Sequence, residues 1–377
     1  MFPIGESIPE PILREHIAHL QELMRQEGLT AVLLFHPSNM LAFTGTPHAS
    51  SDRLTCGAVT LGGDVRVVCP AFEHPAVAGA NQVATVHTWQ DHEDPFQCFA
   101  AALADAGVSA GVLGVDGRVW YEWWHLFANA CPKLRLKSAE RLLREVRICK
   151  TPAELEVLRA AHGKGERVFF EMQERLRAGV SELDLHRELA DHFQRDGLAV
   201  SPYIQSGPNG SRPHNPPGSR TLRQGDTVVM DSVIIHDGYN NDLTRTFALG
   251  EPSARAKEAY KVVRQAQRAA IEAARPGAQC GQLDRIARHV ITEAGFGEFF
   301  THRLGHGIGI ECHEPPYLHS ANNERLRPGM CMTIEPGIYV PGEFGIRIED
   351  DIIITNDGCE IIHGDLPTDV SGAFDRT

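Results

Sequence analysis

The 377-residue sequence is 42% hydrophobic and 23% charged, enough apolar material for two ordinary domains with full cores, which excludes a disordered chain and a disulfide-stapled miniprotein. Thirty-six Lys and Arg against 49 Asp and Glu leave a net charge of −13. Such a chain repels phosphate backbones and acidic membrane surfaces, so neither nucleic acid nor a membrane is expected as a partner.

The start MFPIGESIPEP has neither a basic head nor an apolar centre, so no signal peptide is expected. Apolar runs such as Ala31 to Phe35 and Thr227 to Ile235 fall far short of the ~20 residues a membrane helix needs. Nine cysteines, an odd number with no CxxC pair, read as reduced core residues of a cytoplasmic protein.

Ile12, Ile17, Leu20, Leu23 and Met24 recur at helical spacing and predict an amphipathic helix from Pro11 to Gly28, followed by a strand at Ala31 to Phe35. Gly57 to Leu61 and Val65 to Cys69 flank Gly62-Gly63-Asp64 and predict a hairpin. Further strands are expected at Val83 to Val86 and Gly111 to Val115. Leu134 to Lys150 is rich in Arg and Lys and ends at Thr151-Pro152-Ala153-Glu154. There Thr151 caps a helix, Pro152 suits its first position and Glu154 completes a capping box. The domain boundary is placed just before this cap, giving domains 1–145 and 146–377.

Beyond Thr151 helices are predicted over residues 152–177, 182–196, 253–274 and 281–294, alternating with strand pairs. Helices and antiparallel hairpins in separate runs indicate an α+β domain behind a smaller α/β one. Ser181 with Asp184 supports the second helix, and Leu283, Ile286 and Val290 support the fourth. Ser201 to Arg220, dense in Pro, Gly, Ser and Asn, is predicted as a long loop of the kind that carries function.

Two apolar arms between Thr227 and Phe247 flank His236-Asp237-Gly238, where glycine tolerates a positive φ, and predict a hairpin. A turn centred near residue 237 sets Asp231 opposite Asp242. Like charges directly opposed in a sheet are destabilising and Asp is depleted from strands, so a cation is expected between them. The geometry recurs where Cys331 to Glu335 and Gly345 to Ile354 flank Pro341-Gly342, setting Glu335 opposite Glu349. Strand alternation puts Arg347 on the face of Glu349.

Between the hairpins lies His302-Arg303-Leu304-Gly305-His306-Gly307-Ile308-Gly309, then His313-Glu314-Pro315-Pro316. Glycine on both sides of His306 argues against the helical two-histidine motif of zinc proteases, and is expected to let backbone pass close to a bound group. The alternate glycines lack a lysine and a β-turn-α setting, so they are a weak phosphate-loop signal. One histidine and four carboxylates form a ligand set for divalent ions, and two such ions would neutralise the four charges. Oxygen-rich ligands favour Mn2+, with Co2+, Zn2+ and Fe2+ as competitors.

The ordered set Asp231, Asp242, His306, Glu335 and Glu349 occurs in the contexts DGYNNDLTRTF, HRLGHGIGIECHEPP, TIEPGIY and GIRIEDD. It resembles the metallopeptidases with the pita-bread fold, a family that includes methionine aminopeptidase, aminopeptidase P and prolidase. The resemblance covers residues 150 to 360. The preceding domain, with TAVLLFHPSNMLAFTG near its start, is similar to the N-terminal domain of the creatinase, prolidase and aminopeptidase P branch, which methionine aminopeptidases generally lack.

The resemblance implies a peptidase for Xaa-Pro bonds in di- or oligopeptides, two divalent ions per chain, a homodimer, and a substrate contact at His214. Two ions would share and acidify a water. Glu335 would shuttle its proton to the leaving nitrogen. His302 and His313 are expected either to stabilise the oxyanion or to pack beside the ligands. Tyr239 reads as structural, and Tyr339 as a residue near the site or one needed for packing.

Some dipeptidases of this family carry an arginine shortly after the His-Glu-x-Pro segment for the substrate carboxylate, whereas Glu314 to Asn323 here has no Arg or Lys. Arg347 is therefore expected to bind that carboxylate or a downstream carbonyl, and cleavage of dipeptides and longer peptides is expected. The rival readings are a metal-free creatinase-like amidinohydrolase, a metal-dependent lyase on the same fold, and a non-catalytic binding module. Presence of all five ligand-type residues argues against the first and the last.

Overall fold

Apolar residues at helical spacing bury one face of α1 (Glu10–Glu27), whose Ile12, Leu13, Ile17, Leu20 and Met24 are buried and which ends at Gly28 with φ 65°. The structure, a computed structural model, describes residues 8–47, 51–80, 83–195, 199–362 and residue 374. The first seven residues of the segment read for a leader lie outside the described residues. Two compact units divide the chain, one ending at Arg147 and one beginning at Ile148.

The first unit continues through β1 (Ala31–Leu34), α2 (Pro37–Thr44), β2 (Cys56–Thr60), β3 (Val65–Pro70), α3 (His74–Ala80) and β4 (Thr85–Trp89). It then runs through α4 (Pro95–Asp105), β5 (Gly111–Val115), α5 (Tyr121–Ala130), β6 (Leu134–Ser138) and α6 (Glu140–Ile148). Its strands form one mixed sheet in the order β4-β3-β2-β1-β5-β6. Leu33, Cys56, Val68, Phe99, Leu113 and Phe127 share its core. The strand expected at Val83 to Val86 runs to Trp89 instead, because the Trp89 ring is buried and its indole N–H donates to the Leu54 carbonyl at 3.0 Å.

The second unit opens with α7 (Pro152–Arg175) and α8 (Glu182–Arg195), then β7 (Ala199–Ser206), β8 (Thr227–His236), β9 (Tyr239–Ala248), α9 (Ala254–Ala273) and α10 (Cys280–Glu293). It closes with β10 (Gly305–Gly307), β11 (Glu314–Leu318), β12 (Cys331–Ile334), β13 (Gly337–Val340), β14 (Phe344–Arg347), β15 (Asp350–Ile354) and β16 (Cys359–Ile361). The capping box forms: the Thr151 hydroxyl accepts from Glu154 N at 3.3 Å and the Glu154 carboxylate accepts from Thr151 N at 2.7 Å. All four helices of this unit match their predicted spans within two residues at each end.

The predicted loop from Ser201 starts only at Gly207, because β7 pairs with β8 through Ser206 and Val228. Three antiparallel sheets result, ordered β7-β8-β9, β11-β10-β12-β15-β16 and β13-β14. Phe169 of α7 and Leu185, Leu189 and Phe193 of α8 pack on Met230, Leu243 and Phe247 of the first sheet. Val263, Ala266, Leu283 and Ala287 of α9 and α10 share a second core with Met332, Ile334 and Ile352. Among the described residues no helix is long and apolar enough to cross a membrane. None of the nine cysteines, all among the described residues, forms a disulfide with another.

Candidate metal centre

The hairpin of β8 and β9 closes on the pair His236 and Tyr239, with Asp237 at φ 46° and Gly238 at φ 78°. Two central residues with positive φ fit the twist of a two-residue hairpin. The register sets Asp231 opposite Thr244 and Asp242 opposite Val233. The expected direct opposition of the two aspartates is thus corrected to a diagonal one, still on one face and within reach.

The C-terminal hairpin keeps the expected register but is split. β12 pairs with β15 up to Ile334 and Asp350, and β13 pairs with β14 from Gly337 and Arg347, in separate sheets. Glu335 and Glu349 lie in the gap, where Pro336 has no N–H to donate to a ladder. Glu349 bridges instead to Thr244, donating its N–H to the Thr244 carbonyl at 3.1 Å. The four acids therefore meet where the two sheets touch.

His306 sits on β10, between β11 and β12. A Cβ at Gly305 would overlap the Thr333 carbonyl, and one at Gly307 the Pro315 carbonyl. The glycines flanking His306 therefore admit neighbouring strands rather than a bound group, which corrects the expectation. The His306 Nδ1–H donates to the Gly307 carbonyl at 3.1 Å, so Nε2 presents a lone pair to Glu335 Oε1 at 3.3 Å and Asp242 Oδ2 at 3.9 Å.

The side chains gather into groups whose ligand atoms lie within 4.8 Å of one another: Asp231 with Asp242 and Glu349, His306 with Glu335 and Glu349, and Asp242 with His306 and His313. Burial, then the negative charges of Asp231, Asp351 and Glu335, pushes the Asp242 carboxyl well above the usual range. Glu349 is pushed up by burial and by Asp242, and Glu335 by burial to about 7. Burial also holds His306 neutral.

Asp231 Oδ1 is buried with no hydrogen-bond partner. An orphaned carboxylate oxygen, an imidazole lone pair aimed at acids, and three proton-hungry carboxyls all fit a divalent cation.

A cavity of about 430 Å³ opens beside the ligands, walled also by Pro213, His214, Thr301, His302, Arg303, His313 and Arg347. His214 and His313 are exposed at it, and the His313 ring lies 4.0 Å from that of His306. His302 has both ring nitrogens engaged: Nδ1–H donates to the Arg303 carbonyl at 2.7 Å and Nε2 accepts from the Tyr339 hydroxyl at 2.9 Å. That assignment follows from burial, which lowers the His302 pKa to about 3 and keeps the ring neutral.

Arg347 donates to Asp231 Oδ2 at 2.6 Å, Thr244 Oγ1 at 3.1 Å, Tyr339 Oη at 3.2 Å and the Pro213 carbonyl at 3.4 Å. It holds Asp231 in place and lines the cavity, where it is expected to meet a substrate carboxylate or carbonyl. Tyr239 is structural, its hydroxyl donating to the Glu154 carboxylate at 2.9 Å.

Several neighbours escaped the sequence reading. The Thr244 hydroxyl donates to Glu349 Oε2 at 2.5 Å, and strand alternation already puts it on the Asp242 face. The Cys312 thiol donates to Asp242 Oδ2 at 3.2 Å. Asp351 accepts from Asp242 N at 3.0 Å and lies 2.8 Å from His162 Nε2, a contact that no sequence spacing announces.

The profile of metallopeptidase family M24 matches residues 156–356, and that of the creatinase/prolidase N-terminal domain matches residues 16–149. The chain is 34% identical over 348 residues to a Xaa-Pro dipeptidase of Lactobacillus delbrueckii subsp. lactis, covering 90% of this chain and 94% of that protein. It is similar to the solved dipeptidase PepE from Mycobacterium ulcerans, with TM-score 0.85, 32% identity and coverage of 95% and 97% of the two chains. An X-Pro aminopeptidase from Thermotoga maritima MSB8 superposes with TM-score 0.86 at 27% identity, over 94% and 98%. Two adjoining domain matches, a full-length likeness and a ligand set at the meeting of two sheets agree, and the chain belongs to metallopeptidase family M24, its pita-bread catalytic domain preceded by a creatinase-type N-terminal domain.

Proposed function

We propose that the protein is a dinuclear-metal peptidase that hydrolyses the bond between an N-terminal residue and a following proline. The observation that carries this reading is the pair of ligand groups, Asp231 with Asp242 and Glu349, and His306 with Glu335 and Glu349, joined through Glu349. The substrate class is supported by the relatives, one named for Xaa-Pro dipeptides and one for X-Pro aminopeptidase action.

Asp231, Asp242, His306, Glu335 and Glu349 would hold two divalent ions, with Mn2+ the proposed pair. Such ions lower the pKa of water so that hydroxide exists near neutral pH, and they polarise a carbonyl. The chain's own residues supply the rest. Glu335, at the cavity wall, takes up the proton of the attacking water and hands it to the leaving nitrogen. A proline nitrogen is tertiary in the peptide and leaves well only when protonated.

His313 lines the cavity beside His306 and is the histidine placed to donate to the carbonyl oxygen as charge develops there. His302, with both ring nitrogens engaged, holds Tyr339 and through it Arg347. His214 lines the cavity and meets the peptide.

The test is metal-dependent turnover. After EDTA treatment, Mn2+ should restore cleavage of Ala-Pro and Ala-Pro-Ala, with Ala-Ala left intact and about two ions bound per chain. Asp242→Ala should nearly abolish turnover. Full activity in chelator, or equal cleavage of Ala-Ala, would overturn the reading.

A further inference from the structure

Two cations line the cavity beside the ligand set, Arg347 and Arg303. Arg347 already donates to Asp231, Thr244, Tyr339 and the Pro213 carbonyl. Arg303 is half-buried, and among the described residues it has no carboxylate partner and no side-chain hydrogen bond. Its guanidinium instead lies over the Tyr317 ring, 4.4 Å from the centroid.

Tyr317 is itself fixed. It lies on β11 directly opposite His306 of β10, and its carbonyl accepts from Asn322 Nδ2 at 2.7 Å. The stack therefore holds a planar, partly desolvated cation next to a ligand histidine. Its charge reaches the site, for it is among the influences that lower the pKa of His306, His313 and Glu335. Among the described residues no acid pairs with this cation, which lines the cavity beside the ligand set.

We propose that Arg303, held flat on Tyr317, is the anion anchor of the cavity and takes the C-terminal carboxylate of a dipeptide substrate through its fork. The inference rests on the peptidase reading above and adds the group that makes short peptides preferred. In a dipeptide that carboxylate follows the scissile bond by a single residue, roughly 3.5 Å of chain. Its partner must then stand beside the ligand set, as a residue three before His306 does. The segment from Glu314 to Asn323, devoid of Arg and Lys, supplies the aromatic platform in place of a charge.

The experiment compares the Mn2+-loaded full chain with Arg303→Ala, Tyr317→Ala and Tyr317→Phe on Ala-Pro, Ala-Pro-amide and Asp-Pro-amide. For Arg303→Ala a loss of roughly 10- to 100-fold in kcat/KM is expected on Ala-Pro, carried by KM, with less than about threefold change on Ala-Pro-amide. Tyr317→Ala should raise KM on Ala-Pro alone, and Tyr317→Phe, which keeps the ring, should restore it. A loss confined to Asp-Pro-amide would assign Arg303 to a side-chain carboxylate and overturn the C-terminal role. Equal losses on all three peptides would overturn the anchor itself.

Calorimetric binding of L-proline against prolinamide gives a readout without turnover. Wild type should prefer proline, and Arg303→Ala should lose that preference. If the preference holds in a protein that cleaves no Xaa-Pro peptide, the anchor stands and the peptidase reading falls. If wild type cleaves Ala-Pro yet binds proline no better than Arg303→Ala, the peptidase reading stands and the anchor falls.

Discussion

Glu349, Asp350 and Asp351 are consecutive acids exposed by only 2%, 3% and 0%, and the fold gives each a different task. Asp350 lies 2.6 Å from the Arg245 guanidinium and accepts from Gln267 at 2.8 Å. Asp351 receives the Asp242 N–H, while Glu349 faces the other ligands. Because burial and mutual repulsion raise Asp242 and Glu349, and bring Glu335 to about 7, the folded apoprotein keeps protons that the unfolded chain has released. Stability of the apoprotein must therefore fall as pH rises from about 4, the unfolded carboxylate value, through about 7. Cations bound at the proposed site would replace those protons and remove the penalty. Melting curves between pH 5 and 8 should show Tm declining in EDTA, with a metal-induced gain that grows with pH. Parallel curves with and without metal would refute this.

At the scale of elements, the start of α7 is tied to β11 by Lys150 and Glu314, 2.7 Å apart with side chains 1% and 5% exposed. Lys150→Met leaves Glu314 buried without its cation and should destabilise by about 3–5 kcal/mol in urea unfolding, while adding Glu314→Gln should recover much of the loss. Additive losses in the double variant would show that the pair is not coupled. The same glutamate shows the limit of reading the His-Glu-Pro-Pro motif as chemistry, since only its histidine faces the cavity. Helices were legible because apolar spacing and the Thr151 cap are local signals. Both hairpins were legible by face, and the second also in register, since Ile334 opposes Asp350 and Gly337 opposes Arg347 on either side of Glu335 and Glu349. A two-residue turn with positive φ at Asp237 shifted the first, and Pro336 broke the second into separate ladders. Ser201 to Ser206 reads as loop from its polar composition, yet β8 supplies a partner strand that no local pattern reveals. The Arg303 and Tyr317 stack stayed hidden for the same reason: it depends on the pairing of β10 with β11.

Across the whole molecule, every member of the ligand set belongs to the unit that begins at Ile148, and the unit ending at Arg147 has a sheet and a core of its own. Calorimetry of the full chain should accordingly show a metal-responsive transition and one that metal leaves unmoved, since a ligand stabilises only the part whose folding it requires. A homodimer is the assembly proposed from the family likeness. Sedimentation should find two copies at working concentration, and removal of residues 1–145 should harm peptide selection more than metal binding. Glu349 belongs to two of the three ligand groups, so the two ions proposed above would share one carboxylate and each would feel the charge of the other. Loading should therefore be stepwise, because the first ion takes up much of the shared negative charge and repels the second, and a titration should resolve a tight step and a weaker one. A competing cation would then enter the weaker position first, and metal selectivity becomes a property of the pair.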